Sequence, residues 1–341
     1  MNRKKADLNK IGQIAVLGYV ICVLIFTWTA WEQIQNSRIR GAIYPIIAAA
    51  ILLLMIVYIL HLKNCQKKGK KSIGLDFIET VRKYKFLMEQ LISRDFKIKY
   101  KRSILGVFWS FLNPLLMMLV QYVVFSKLFD LRGMGITHYA IYLLCGIITW
   151  NGFSDCATQA MHAITGNASL ITKVYVPKYI YPVTKVLSAG INLLLSMVPL
   201  LLVTFIYGLF NDLYLTKAIF LIPIALLFVI VFTIGVGFLL SSLMVFFHDV
   251  EFLWNVFSMM WMYATPIIYG IDILRGKAEW LIILMEFNPM YHYVSFMRTI
   301  IIDGCSPALT EYLICAAFSL GMLLIGAIVF KKTQDKFILY I

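Results

Sequence analysis

Little in this chain of 341 residues is arranged for bond-making chemistry. It contains no HExxH, and Cys22, Cys65, Cys145, Cys156, Cys305 and Cys315 lie far apart with no Cys-x-x-Cys, so neither a zinc site nor a disulfide framework is indicated. Cys22, Cys145 and Cys315 fall inside apolar runs, where a free thiol acts as a small hydrophobe. The stretch from Gly270 to Ala278 approaches a phosphate-cradling loop, but it has one residue too many between its glycines and Ala where Ser or Thr would bind magnesium. Asp155 is the one acid near the middle of an apolar segment, with no basic partner visible beside it, so a proton or sodium relay lacks support. What remains is recognition chemistry. Trp254, Phe257, Ser258, Trp261 and Thr265 recur at helical spacing, and Trp109, Asn113, Met117 and Gln121 share another helix face. Such mixed faces suit a sugar-like substrate, whose C–H faces pack on rings while its hydroxyls take hydrogen bonds. Trp150 is grouped with them. For any single residue, ordinary helix packing with a few interhelical hydrogen bonds is the readier account.

The elements that must position these residues follow from composition. Apolar residues make up 61% and charged ones only 14%, against ~45–50% and ~25% in soluble domains. With a mean hydropathy of +0.83, the chain cannot cover a globule with polar surface, which excludes a soluble enzyme and a disordered protein. A crossing helix needs about 20 apolar residues. Eight segments qualify, giving an all-α polytopic membrane protein: Ile11–Trp31, Gly41–Leu62, Ile104–Phe129, Tyr139–Met161, Pro182–Gly208, Ala218–Phe246, Phe252–Tyr269 and Ala308–Phe330. A ninth segment, Trp280–Ile302, carries Glu286, Asn288, Pro289, His292 and Arg298 and is rejected, because charges at the bilayer centre cost ~2.5–3.5 kcal/mol each. The first apolar run spans and shows no small-residue cleavage site, so no removable leader is expected.

The net charge of +14 raises nucleic acid as a partner, but its placement along the chain argues otherwise. With an inside N-terminus, 23 of the 31 Lys and Arg fall in inside segments, which places both termini in the cytoplasm. The basic excess is therefore a topology signal, and no nucleic-acid partner is expected.

Three stretches are neither spans nor plain loops. In Asp76–Arg102, Phe77, Val81, Tyr84, Met88 and Leu91 recur at i, i+3/i+4, with Lys97, Lys99, Lys101 and Arg102 after them. This predicts a cytoplasmic amphipathic helix in the interface, which as a pattern also fits a simple anchor on anionic lipid. Between the last two spans, the apolar run Trp280–Phe287, the breaker Asn288-Pro289 and Tyr291–Ile302 predict an outer re-entrant helical hairpin. A cap packed outside the bundle reads the same. In the cytoplasmic segment Asn167–Tyr181, Asn167 is a good N-cap and Pro177 should end a short helix near Val176. Leu170 and Val174 offer apolar contacts there, and Lys173 and Lys178 can meet acids on a partner.

The segment Leu91–Pro114, with Arg94, Asp95, Lys97, Lys99, Tyr100, Lys101, Ser103, Leu105, Gly106, Trp109 and Pro114, resembles the opening of permease subunits in the ABC-2 type polysaccharide exporters. The likeness continues through Gly146–Phe153, Asn167–Pro182, Phe247–Tyr269 and Asn288–Gly304. The resemblance implies a six-helix permease core over residues 76–341 that forms a homodimer and pairs with two copies of an ABC ATP-binding subunit. ATP and magnesium then belong to that partner, with no cofactor and no metal in this chain. Phe77, Val81, Tyr84, Met88, Leu91, Arg94 and Asp95 would form the family's gate helix. Asn167, Leu170, Lys173, Val174, Pro177 and Lys178 would form its coupling helix against the ATPase. Residues 1–75 are an addition, a two-span hairpin with a basic tail, which is either a passive anchor or a docking site for a glycosyltransferase.

The function implied is ATP-driven export of a lipid-linked (undecaprenyl-type) polysaccharide, such as O-antigen, teichoic acid or capsule, across the bacterial plasma membrane. Trp109, Asn113, Gln121, Trp150, Trp254, Phe257 and Trp261 would line the glycan channel. The same architecture exporting a drug or smaller lipid is the nearest rival. A membrane-embedded glycosyltransferase would need clustered acids or bases facing one leaflet, and none is found. Lacking a phosphate-cradling loop, the purified chain alone is expected neither to bind nor to hydrolyse ATP. Nucleotide turnover by the lone subunit, free of contaminating ATPase, would overturn the two-subunit expectation.

Overall fold

The computed structural model describes residues 8–29, 38–68, 73–101, 103–125, 138–211, 213, 215–271 and 279–341. Its helices are α1 (Leu8–Thr29), α2 (Arg38–Lys67), α3 (Ile73–Tyr100), α4 (Trp109–Val123), α5 (Tyr139–Met161), α6 (Ala168–Lys173), α7 (Ile180–Gly208), α8 (Ile222–Phe246), α9 (Val250–Ala264), α10 (Glu279–Glu286), α11 (Pro289–Ile301) and α12 (Leu309–Thr333). No strand occurs among the described residues. Arg102, most of the Gly270–Ala278 stretch and the ends of the first and third expected spans lie outside them.

Five stretches are long and apolar enough to cross a membrane: Leu8–Thr29, Gly106–Val123, Ile180–Gly208, Lys217–Phe246 and Leu309–Leu339. Each falls on an expected span. The expected span Gly41–Leu62 lies within α2, and Tyr139–Met161 is α5. The expected span Phe252–Tyr269 is helical only up to Ala264: its helix, α9, holds 15 residues, about 22 Å at 1.5 Å each, and the rest of the segment continues without helical bonding to Tyr269. The helix stops because Thr265 precedes Pro266 and is driven out of the helical region into an extended conformation.

The chain divides into two compact units, Met1–Gln90 and Leu91–Ile341. In the first, α1 pairs with α2, and Leu8 and Leu62 are buried with Cys65 and Ile78 against them. The part of α3 in this unit shows the expected amphipathic pattern. Val81, Tyr84 and Met88 are half-buried, while Arg82, Lys83, Lys85 and Glu89 are exposed. The side chain of Phe77 lies outside the described residues.

In the second unit α5 is the hub. Fifteen of its 23 residues are buried, and α4, α7, α8 and α11 pack around it. Small residues set these approaches. A Cβ on Gly152 would meet Leu193 Cδ1 at 2.4 Å, and one on Gly237 would meet Ala160 Cβ at 2.7 Å. Cys156, Ala160, Val186 and Ala189 form a fully packed cluster against Ile230 and Ile234. A close backbone contact joins α8 and α12, where a Cβ on Gly326 would lie 2.1 Å from the Gly235 carbonyl oxygen. Close packing through small residues is what holds helices together when lipid and side chains are equally apolar.

Beyond α9 the chain runs without helical bonding from Thr265 to Tyr269, which in an apolar bundle leaves carbonyls to be satisfied by side chains. Arg298 of α11 donates to the Pro266 and Ile267 carbonyls at 2.8 and 3.0 Å. Tyr139 donates to Ile268 at 3.0 Å and Tyr142 to Tyr269 at 2.8 Å. The Arg298 guanidinium also lies 3.3 Å from the centre of the Tyr142 ring. The expected break at Asn288-Pro289 is present. Asn288 caps α11 by accepting from the Met290 amide at 3.0 Å, and the eight residues of α10 precede it.

The Gly235–Gly326 contact makes a direct test of this packing. Gly326→Leu should destabilise the protein by ~1–3 kcal/mol or more, since a rigid backbone faces the new side chain. Gly321→Ala, which meets nothing within 4 Å, should be neutral or slightly stabilising. Thermal unfolding in detergent measures both, and equal melting points for the two variants would contradict the contact.

Candidate functional site

The face that brings the predicted residues together is built on α5. Asn151, Ser154, Asp155, Thr158 and His162 recur every turn along one side of that helix. Helix α9 runs antiparallel to this stripe and matches it turn by turn. Ser258 meets Ser154 at 3.3 Å, the Trp254 indole donates to Thr158 at 3.0 Å, and Glu251 lies 3.9 Å from His162. One turn further, the Trp150 and Trp261 rings meet edge to face at 6.0 Å. The Trp261 indole donates to Asn288 at 2.8 Å, and Asn288 donates in turn to Thr265 at 2.9 Å.

The seven channel candidates therefore divide. Trp150 and Trp254 are buried at 3% and 4% exposure, and Trp261 is half-buried. Together with Phe153, Phe232 and Tyr293 they form one aromatic cluster inside the chain. Trp109, Asn113 and Phe257 keep exposed faces, and Gln121 is half-buried. The Trp254–Thr265 stripe reads as a recognition face in sequence. In three dimensions its polar groups are engaged within the chain, which is the packing alternative for Trp254, Ser258, Trp261 and Thr265.

Asp155 does have a basic partner, contrary to the sequence reading. Lys99, at the end of α3, lies 2.9 Å from it, and Gln159 donates to its other oxygen at 3.0 Å. The partner is 56 positions away and is brought close only by the fold. One turn back on α3 is a tighter network. Asp95, with 7% of its side chain exposed, lies 3.1 Å from Arg94 and 2.9 Å from Lys185 of α7. Arg94 also donates to Asn167 at 3.0 Å, and Leu91 beside it is buried. Tyr100 donates to Asn192 at 2.7 Å.

That network changes the reading of Asn167. It stands at the N-cap position of α6 but makes no cap with its side chain. Its oxygen accepts from Arg94 and its nitrogen donates to the Ala163 carbonyl at 2.8 Å. Helix α6 also ends at Lys173, short of Val176, where Val174 is already extended. Leu170 is half-buried, Lys173 is exposed, and Val174 is 47% exposed. Lys178 turns inward and donates to the Gln334 carbonyl at 2.5 Å. Burial pushes its pKa down, with Asp335 opposing. The residue that sequence reading missed is Tyr175, 96% exposed beside Val174. Its signal is an aromatic in an extended stretch between two basic residues. The α5 stripe has its own signal in the sequence, a polar residue at every turn from Asn151 to His162.

A multi-pass helical membrane protein, with one polar and aromatic face and an exposed apolar tip between two helices, is the class these features define. The profile described as ABC-2 type transporter matches residues 87–302, and the chain belongs to that family. It is 28% identical over 253 residues to an O-antigen export system permease protein RfbA of Klebsiella pneumoniae, covering 74% of this chain and 93% of that one. An RfbA of Myxococcus xanthus is 26% identical over 254 residues, covering 74% and 95%. The capsule polysaccharide export inner-membrane protein CtrC of Neisseria meningitidis is 21% identical over 226 residues, covering 65% and 81%.

Removing the anion at the centre of the Arg94–Asp95–Lys185 network should be felt. Breaking a buried pair costs ~3–5 kcal/mol, and the solvent reached by Arg94 reduces this to about 2. Asp95→Asn is therefore expected to lower the melting point in detergent, and Lys185→Met in the same chain to recover part of the loss. Strictly additive effects of the two changes would show that the pair is uncoupled.

Proposed function

We propose that this chain is the membrane-spanning permease of an ATP-driven exporter that moves a lipid-linked, undecaprenyl-type polysaccharide across the bacterial plasma membrane. The observation that carries this reading is the alignment over 93% of an O-antigen export permease. The capsule export relative supports the same substrate class against a drug or smaller lipid. In this reading the chain forms a homodimer and docks two ATP-binding subunits, which hold the ATP and magnesium. The concentration of Lys and Arg in the inside segments supports cytoplasmic termini.

The exposed Lys173, Val174 and Tyr175, with the half-buried Leu170, form the surface offered to the ATPase, with Asn167 fixing its base. The α3 segment ending in Leu91, Arg94 and Asp95 acts as the cytoplasmic gate. Helices α10 and α11 form the re-entrant hairpin on the outer side. The glycan path follows the accessible faces of Trp109, Asn113, Gln121 and Phe257. Trp150, Trp254 and Trp261 stiffen that wall from behind. Residues 1–75 precede the family match at residue 87 and form a separate two-helix addition that anchors the chain or docks a glycan-assembling enzyme.

Deleting the gene in its host should abolish surface polysaccharide and leave the polymer inside the cell, with plasmid-borne protein restoring export. Unchanged surface polysaccharide in the deletion strain would overturn the reading. Val174→Asp with Tyr175→Asp should release the ATPase on co-purification while the permease stays inserted, since burying unpaired carboxylates costs several kcal/mol, on the order of 2–7. Normal co-purification of that double variant would remove the tip as the docking surface.

A further inference from the structure

A cavity of about 320 Å³ lies between α4, α5 and the uncoiled stretch after α9. Its walls include Gln121 on one side, Trp150 and Asn151 on a second, and Tyr263 and Tyr269 on a third. The Gln121 Oε1 is buried and accepts no hydrogen bond among the described residues. A buried acceptor left without a donor is costly, so a water, a partner group or a ligand must complete it.

The walls define what that ligand is. An acyl chain brings no donor to Gln121. Among the described residues no Lys or Arg lines the cavity, so a phosphate finds no counter-charge among them. No carboxylate among the described residues lines it either, and Asp155, one turn along α5 from Asn151, is already engaged by Lys99 and Gln159. An uncharged ring with hydroxyls fits both features. Its C–H faces lie on the aromatic walls, one hydroxyl donates to Gln121, and the exposed Asn151 amide offers a donor and an acceptor at the rim. The volume sits near the low end of the ~300–1,000 Å³ that hold small ligands, which is room for one ring and not for an oligosaccharide.

We propose that this cavity is a binding site for a single pyranose ring, with the Gln121 Oε1 accepting a ring hydroxyl. It holds one residue of the glycan in transit and so rests on the export reading above. A site of this kind acts as a ratchet tooth, because each advance of the polymer must withdraw one ring and seat the next.

The test separates the site from the export reading. The purified protein, in a detergent whose head carries no sugar, is heated with methyl glucoside, methyl galactoside and methyl mannoside in turn. At least one should raise the wild-type melting point, and none should raise that of Gln121→Leu. No shift with any of the three overturns the site, whatever the export assay shows. Without ligand, Gln121→Leu should melt higher than wild type by a few degrees, because the orphaned oxygen is gone. A lower melting point means that a structural water completes Gln121, and the proposal falls. In cells, Gln121→Leu at normal membrane abundance should reduce surface polysaccharide at least several-fold, and undiminished export overturns the role in transit. Should Gln121→Leu fail to accumulate, Asn151→Ala serves in its place. It is expected to lose the glycoside shift at an unchanged resting melting point, and a retained shift overturns the site.

Discussion

The buried guanidinium of Arg298 is the interaction on which the rest of the second unit depends. A chain that stops being helical inside an apolar bundle strands its carbonyls, each costing ~1–3 kcal/mol if left bare. Arg298, Tyr139 and Tyr142 satisfy the four from Pro266 to Tyr269. The arginine's own charge is supported by the Tyr142 ring beneath it. Glycine at 146 leaves the room, since a Cβ there would lie 2.8 Å from Ile267 Cγ2 and 3.1 Å from the Arg298 Nη2. Three segments distant in sequence are thereby fixed to one another, and the end of α9 has a defined position against α5.

That fixed end sets the register of everything below it. With Thr265 tied to Asn288 and Asn288 tied to Trp261, the α9 helix leaves the clasp at a set rotation. Its polar side chains then meet those of α5 one per turn down to Glu251 and His162. Each contact is modest, but the three in register, with the Trp150–Trp261 ring contact one turn above them, resist both sliding and rotation. Helices α5 and α9 thus behave as one wall. The faces they leave open carry Asn151 on α5 and Phe257 on α9, and α4 exposes Trp109 and Asn113.

The sequence made the helices and their order legible because hydrophobic length and helical spacing are local properties. The break at Asn288-Pro289 and the amphipathic run from Val81 to Leu91 were readable for the same reason. Where reading failed, the deciding partner was remote. Arg298 counts as a penalty against burial until its carbonyl acceptors, 31 and 32 residues away, are in view. Asp155 looked unpaired because Lys99 belongs to a different helix. Asn167 has the right residue type for a cap, yet a guanidinium 73 positions away competes successfully for its oxygen. The division of the tryptophans follows the same logic. Spacing shows which residues share a face, but not whether that face meets a helix or open space.

The same remoteness gives the Arg94–Asn167 contact its mechanical meaning. Asp95 is held by cations from both sides, so the end of α3 is attached to α7 through Lys185. Arg94 extends this attachment to the base of the 165–173 segment. A push on the exposed tip at Val174 and Tyr175 therefore has two routes. The tip can bend at its own extended stretch, or it can carry Asn167 and with it the end of α3. Asn167 is buried at 4% exposure and also bonded to Ala163 in the last turn leading from α5. Its side chain cannot follow the tip without disturbing one helix or the other. Through that single amide the base of the 165–173 segment is tied both to the end of α3 and to the turn that follows α5.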